Sequence, residues 1–327
     1  NNTAANNTAV GNRCMDTNTT GSDNVAMGQL AMDANTTGSY NVAIGAQALD
    51  ANTTASNNTA IGYNSLSANT TGHSNVAVGK GALDANTTAN SNTAVGYDAL
   101  TANTTGTQNT SVGAYALGTI STGSDCTAMG YSALYASTGI QNVAVGSRSM
   151  QDNSTGYDNT AIGFYSLHAN TTGIDNVAIG KDALSVNTTG DKNIAIGKDA
   201  LEVSNASGNT AIGHDAMKAN TTGVQNVAVG AYALDANTTA NNNVAVGHDA
   251  LTANTTGQSN TCIGSDAGQA ITTTSNNTVV GSQAYIEGTG NENTCIGSYC
   301  GYNLTTGNQN TAIGYQALYT EDAGTQL

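Results

Sequence analysis

Asn41-Val42-Ala43-Ile44-Gly45 is the stretch from which the fold is read, because close copies of it return along the whole chain. Equivalents of Gly45 stand at Gly11, Gly28, Gly62, Gly79 and onward to Gly314, nineteen in all. Fifteen of the eighteen intervals are 17 residues and three are 16. So tight a period is the mark of stacked coils, each leaning on its neighbours. It predicts one continuous array over residues 1–327, in place of the two or three globular domains that length alone suggests.

Outward from the motif, the coil reads Gly-x-x-Ala-Leu-x-Ala-Asn-Thr-Thr-Gly-x-x-Asn-Val/Thr-Ala-Val/Ile. The residue before the glycine is Val, Ile or Met in all nineteen copies, and the residue four after it is Leu or Met in sixteen. Neither column shows helical spacing. Seventeen residues suit two short strands and two turns better than a helical hairpin, whose repeats run above about thirty residues. The expected fold is all-β: a parallel β-solenoid (β-roll) of about nineteen 17-residue coils.

Strand alternation places Val42 and Ile44 on one face and Asn41, Ala43 and Gly45 on the other. The aliphatic face is read as the interior, met by Leu49 and Ala51 from a second strand. The Asn four before the glycine recurs in eighteen of nineteen coils and reads as a structural ladder bonding along the stack. That leaves a column of small residues pointing away from the aliphatic interior: Ala26, Ala43, Ala60, Ala77, Ala94, Ala161, Ala178, Ala228 and Ala245. Bend geometry beside the glycine would account for it. The sharper account, adopted here, is an oligomer interface at which another chain packs closely.

Composition supports a thin core. There is no Pro or Trp and one Phe, and only 9% of residues are charged. The net charge of −15 argues against nucleic-acid backbones and anionic membranes. No apolar run approaches the ~20 residues of a membrane helix, so no membrane insertion is expected. The chain opens in mid-repeat at Asn6-Asn7-Thr8-Ala9-Val10-Gly11, as a processed product or a segment of something longer would. The five cysteines fill small-residue slots without metal-ligand spacing, which reads as packing.

The Asn-Thr-Thr turn is repeated in most coils and is also an N-glycosylation acceptor. Asn35, Thr37, Asn52, Thr54, Asn69, Thr71, Asn86 and Thr88 are therefore candidate exposed ladder or glycan positions. The four histidines, His73, His168, His214 and His248, have no partner at a set spacing. His214 and His248 share a slot with Lys80, Lys181 and Lys198, which reads as exposed and polar. No enzyme, catalytic residue, cofactor or metal is expected. The leucine column breaks at Gly268, Tyr285 and Gly301, which predicts a bulge, kink or thinning near 264–303.

The motif Asn-x-Ala-Val/Ile-Gly-x-x-Ala resembles the head repeats of trimeric autotransporter adhesins. Its longer form, as in Asn310-Thr311-Ala312-Ile313-Gly314-Tyr315-Gln316-Ala317-Leu318, is similar to repeats of phage and bacterial tail-fibre proteins. The resemblance covers essentially the whole chain, although the adhesin repeat is shorter and no coiled-coil stalk or membrane anchor is visible. It implies a homotrimeric fibre packed through small residues. The functional expectation is an extracellular structural and adhesive fibre on a cell or virion, with itself as partner and surface glycans or a host surface as target. The alternative is an ice-binding solenoid using the Asn/Thr ladders.

Overall fold

The computed structural model describes residues 4–320, so the first three and last seven residues of the expected array lie outside the described residues. The chain divides into two compact units, residues 1–159 and 160–327. Unit 1 holds three-residue strands from β1 (Thr8–Val10) through β3 (Val42–Ile44) and β4 (Thr59–Ile61) to β9 (Val143–Val145). Unit 2 holds β10 (Thr160–Ile162) to β19 (Thr311–Ile313), and no helix occurs among the described residues of either unit. Within each unit, successive strands pair in parallel at the repeat period, as in Val42↔Thr59, Ala43↔Ala60 and Ile44↔Ile61. The architecture is an all-β parallel solenoid of about nineteen coils.

Each coil has one strand, where two were expected. The segment after the glycine forms turns in which every second residue is left-handed, as at Gln47 (φ 57°) and Leu49 (φ 54°). Its backbone still bonds between coils: Gln47 N donates to Gln29 O at 2.9 Å, and Leu49 N donates to Ser65 O at 3.0 Å. A left-handed leucine costs on the order of 1–2 kcal/mol of backbone energy. Full burial of the Leu49 side chain and its inter-coil bond offset that cost. Gly45 (φ 136°) is required outright, since a Cβ there would lie 2.5 Å from Gly62 O.

The inside and outside of the strand are the reverse of the expected arrangement. Asn41 and Ala43 point inward and are fully buried, whereas Val42 is half-buried and Ile44 is 37% exposed. The interior of a coil is Ala43, Ala48, Leu49, the two asparagines Asn41 and Asn52, and Ala55. So narrow a cross-section leaves no room for a branched side chain opposite Leu49. The variant coils redistribute this volume, and Val279 enters the alanine slot only between the coils in which Gly268 and Gly301 replace leucine. Where Gly268 and Gly301 vacate the leucine slot, Cys262 and Cys295 enlarge the alanine slot. A Cβ on Gly268 would lie 2.6 Å from Cys262 Sγ, and one on Gly301 would lie 2.6 Å from Cys295 Sγ. The remaining volume is filled by Ile271 and Leu304, fully buried in the slot that is Asn in most coils.

Two internal asparagine ladders satisfy the buried polar backbone. Asn41 Oδ1 accepts from Asn58 N at 2.9 Å, and its Nδ2 donates to Ala55 O at 2.9 Å. Asn52 Nδ2 donates to Asn35 Oδ1 at 2.9 Å and to Ala55 O at 3.1 Å. The three 16-residue intervals are shortened within the Asn-Thr-Thr turn, and a hydroxyl takes over from the second asparagine. Ser137 Oγ accepts from Gly139 N and from Asn153 Nδ2, and Ser204 Oγ accepts from Ala206 N and from Asn220 Nδ2.

In the third short coil, Tyr285 fills the leucine slot and its hydroxyl reaches the turn. It accepts from Gly290 N at 2.9 Å and from Asn293 Nδ2 at 2.6 Å, and donates to Gly290 O at 3.2 Å. The bulge, kink or thinning expected over 264–303 does not appear in the strands, whose register runs unbroken through Cys262↔Val279, Val279↔Cys295 and Cys295↔Ala312. The irregularity is confined to core side chains and one shortened turn.

These coils also make the fold sensitive to alkali. Burial pushes the Tyr285 hydroxyl up to about 12 and the Cys295 thiol up to about 12, and raises Cys262 as well. In the unfolded chain these groups ionise near about 10 for Tyr and about 8.5 for Cys. Their folded values are raised, so the stability they contribute is fully present below about pH 8.5 and is lost as pH rises from there toward 12. Urea midpoints should fall between pH 7 and pH 11. Tyr285→Phe, which strands Gly290 N–H and Asn293 Nδ2, should cost about 1–3 kcal/mol at neutral pH and flatten the slope above pH 10. A flat pH profile for the parent chain would contradict this account.

Candidate interaction surface

The inward turn of the alanines decides what each coil shows to its surroundings. Ala26, Ala43, Ala60, Ala77, Ala94, Ala161, Ala178, Ala228 and Ala245 are fully buried within their own coils. As an interface they are corrected, because no second chain can reach them. The outward columns are those of Val42 and Ile44. In-register pairing brings the second column into line within unit 1 as Ile44, Ile61, Val78, Val95, Val112 and Met129. Unit 2 repeats it from Ile162 onward. The first column holds Thr in eleven of the nineteen strands and Val or Ile in the rest.

The Asn-Thr-Thr turn is divided in the same way. Asn35, Asn52, Asn69 and Asn86 are fully buried rungs, so they are neither exposed nor open to glycan attachment in the folded chain. Thr37, Thr54, Thr71 and Thr88 are exposed as expected. The intervening threonine spends its hydroxyl on the stack: Thr36 Oγ1 donates to Thr53 O at 2.9 Å. One free threonine column therefore remains at this turn.

Beside the aliphatic strip, the column after the glycine carries aromatic and charged groups. In unit 1, Tyr63, Tyr97 and Tyr131 are exposed, and Tyr115 sits edge-on between Tyr97 and Tyr131 at 5.3 and 6.0 Å. Lys80 Nζ lies 5.0 Å from the centre of the Tyr97 ring. In unit 2 the flank is ionic. Lys218 Nζ lies 3.1 Å from Asp199, 3.2 Å from Asp215 and 3.6 Å from Glu202, and Lys198 Nζ lies 2.8 Å from Asp199. Burial works to raise the Asp199 pKa, but the bonds from Lys198 and Lys218 outweigh it and hold the carboxyl below its ordinary value. His214 and His248 share the slot after the glycine, each beside the aspartate that follows it, with Tyr232 edge-on to both rings, and His73 lies beside Ser74.

Sequence reading missed the outward role of Val42 and Ile44. The signal was present in the first column: a position that takes Thr in most coils faces water more readily than a core. Compared with protein-family models, with curated proteins and with solved structures, the chain finds no match in any of the three.

Proposed function

We propose that the chain is a non-enzymatic structural and adhesive extracellular fibre, assembled as a homotrimer through the outer face of its strands. Its exposed threonine turns and tyrosines then face outward for attachment to surface glycans or a host surface. The observation that carries this reading is the outward Val/Ile/Met column, present in every one of the nineteen strands. A run of aligned aliphatic side chains on a regular face is larger than the scattered apolar residues of an ordinary surface, and it invites cover by another chain. The number three comes from the resemblance of the motif to adhesin-head repeats. Light scattering on the native protein should return three times the 32.6 kDa chain mass. A clean monomer would count against the whole reading.

A second reading, ice binding, is favoured by one observation: eleven of the outward first positions are Thr, in register along parallel strands. Its weakness is the companion column, which is never Thr, so the two-column Thr-x-Thr face that orders water is missing. The fibre reading predicts no thermal hysteresis at high protein concentration. Measurable hysteresis would reverse the preference.

A further inference from the structure

We propose that His248, Asp249 and Asp266 in unit 2 form a surface site for a divalent transition-metal ion. One donor atom from each residue lies within 4.8 Å of the other two, and His248 Nδ1 is 2.8 Å from Asp249 Oδ2. A metal bonded at about 2.1 Å holds neighbouring ligands roughly 3–3.5 Å apart, so the set needs only a small closure. The backbone beneath is held in place. Asp266 N donates to His248 O at 2.9 Å, and both aspartates sit in the left-handed turn positions (φ 54° and 57°) that every coil repeats. An imidazole nitrogen with two carboxylate oxygens suits zinc, cobalt or nickel better than calcium or magnesium, which prefer all-oxygen sets.

The same columns elsewhere in unit 2 serve as an internal control. Asp199 and Asp215 are engaged by lysine ammoniums, and Asp182 is paired with Lys181 at 2.7 Å. His214 and Asp215 repeat the His-Asp pair of 248 and 249, but the next coil places Tyr232 where Asp266 stands, and Lys218 already holds Asp215. At 248–266 the two carboxylates come from successive coils and share the imidazole as a neighbour, with Ser265 Oγ donating to Asp266 Oδ2 at 3.1 Å. A divalent ion would offset their repulsion. With Nδ1 of His248 as its ligand, the imidazole N–H would stand on Nε2. This site is independent of the assembly proposed above, since none of its three residues belongs to the aliphatic strip.

The test is calorimetric titration of the full, chelator-stripped chain with Zn²⁺, alongside three variants whose far-UV circular dichroism matches the parent. The parent should bind one Zn²⁺ per chain. His248→Ala and Asp266→Asn should each weaken binding tenfold or more, while His214→Ala should leave the isotherm unchanged. The proposal is overturned by a flat parent isotherm at millimolar Zn²⁺, by unchanged binding in His248→Ala, or by equal loss in His214→Ala.

Discussion

A chain carrying Ile44→Lys, Ile61→Lys and Val78→Lys together is expected to run as a single 32.6 kDa species, against three times that mass for the trimer proposed for the parent. The three side chains sit on adjacent rungs of one outward column, paired as Ile44↔Ile61 and Ile61↔Val78. Lysines there would place three ammoniums at intervals of about 4.8 Å on the face proposed to be covered. Burying them against another chain would strand uncompensated charge, at a cost of several kcal/mol each, which no interface of small aliphatic contacts could absorb. In the isolated chain the same lysines point to water, and their stems can lie along the strip. Far-UV circular dichroism should therefore be retained while the scattering mass falls to one third. A variant that keeps the parent's mass would show that some other surface holds the copies together.

The second large effect separates the inside of the strand from its outside. In that lysine background, Ala94→Ile and Val95→Ala exchange the sizes of two neighbouring residues. Ala94 is fully buried opposite the leucine column, whereas Val95 is 36% exposed. Ala94→Ile should destabilise by about 1–3 kcal/mol or more, because a close-packed interior with no free volume must shift backbone to admit three extra carbons. Val95→Ala should stay within about 1 kcal/mol, since its atoms are partly in water already. If the aliphatic side chains instead formed the core, the order would invert, with the valine truncation costing a few kcal/mol. Denaturant midpoints for the two variants decide between these outcomes, and equal midpoints would fit neither.

Much of the candidate surface was legible, although its sign was not. The parallel stacking, the constant glycine and the ladder role of Asn41 follow from columns that hardly vary. Gly45 must be glycine because the next coil's backbone lies against it. Asn41 must be a side chain with both donor and acceptor, because it bridges Asn58 N and Ala55 O inside the coil. The Asn35 series was harder to read. Asn-Thr-Thr looks like an exposed turn, yet only the last threonine faces water, because the asparagine folds inward to cap the carbonyl three residues on. The breaks at Gly268, Tyr285 and Gly301 were visible, whereas their remedy was not. It depends on Cys262 and Ile271 closing around Gly268 in one coil, and on the Tyr285 hydroxyl reaching the Gly290 turn in the next.

By itself the sequence determined the period, the all-β class, the parallel register and the identity of the residues that must repeat. Those properties depend on spacing alone, and spacing survives in one dimension. Only the tertiary structure decided which side of Val42-Ala43-Ile44 is the interior. Alternation divides a strand into two faces without labelling either one. The label comes from the width of the closed coil, which is set by one short strand and by a chain of left-handed turns through Gln47 and Leu49. Leucine carries no sequence signal for that backbone conformation. Once the coil closes so tightly, the space beside Leu49 admits a methyl group and little more. Alanine turns in, and valine and isoleucine are left on the outside.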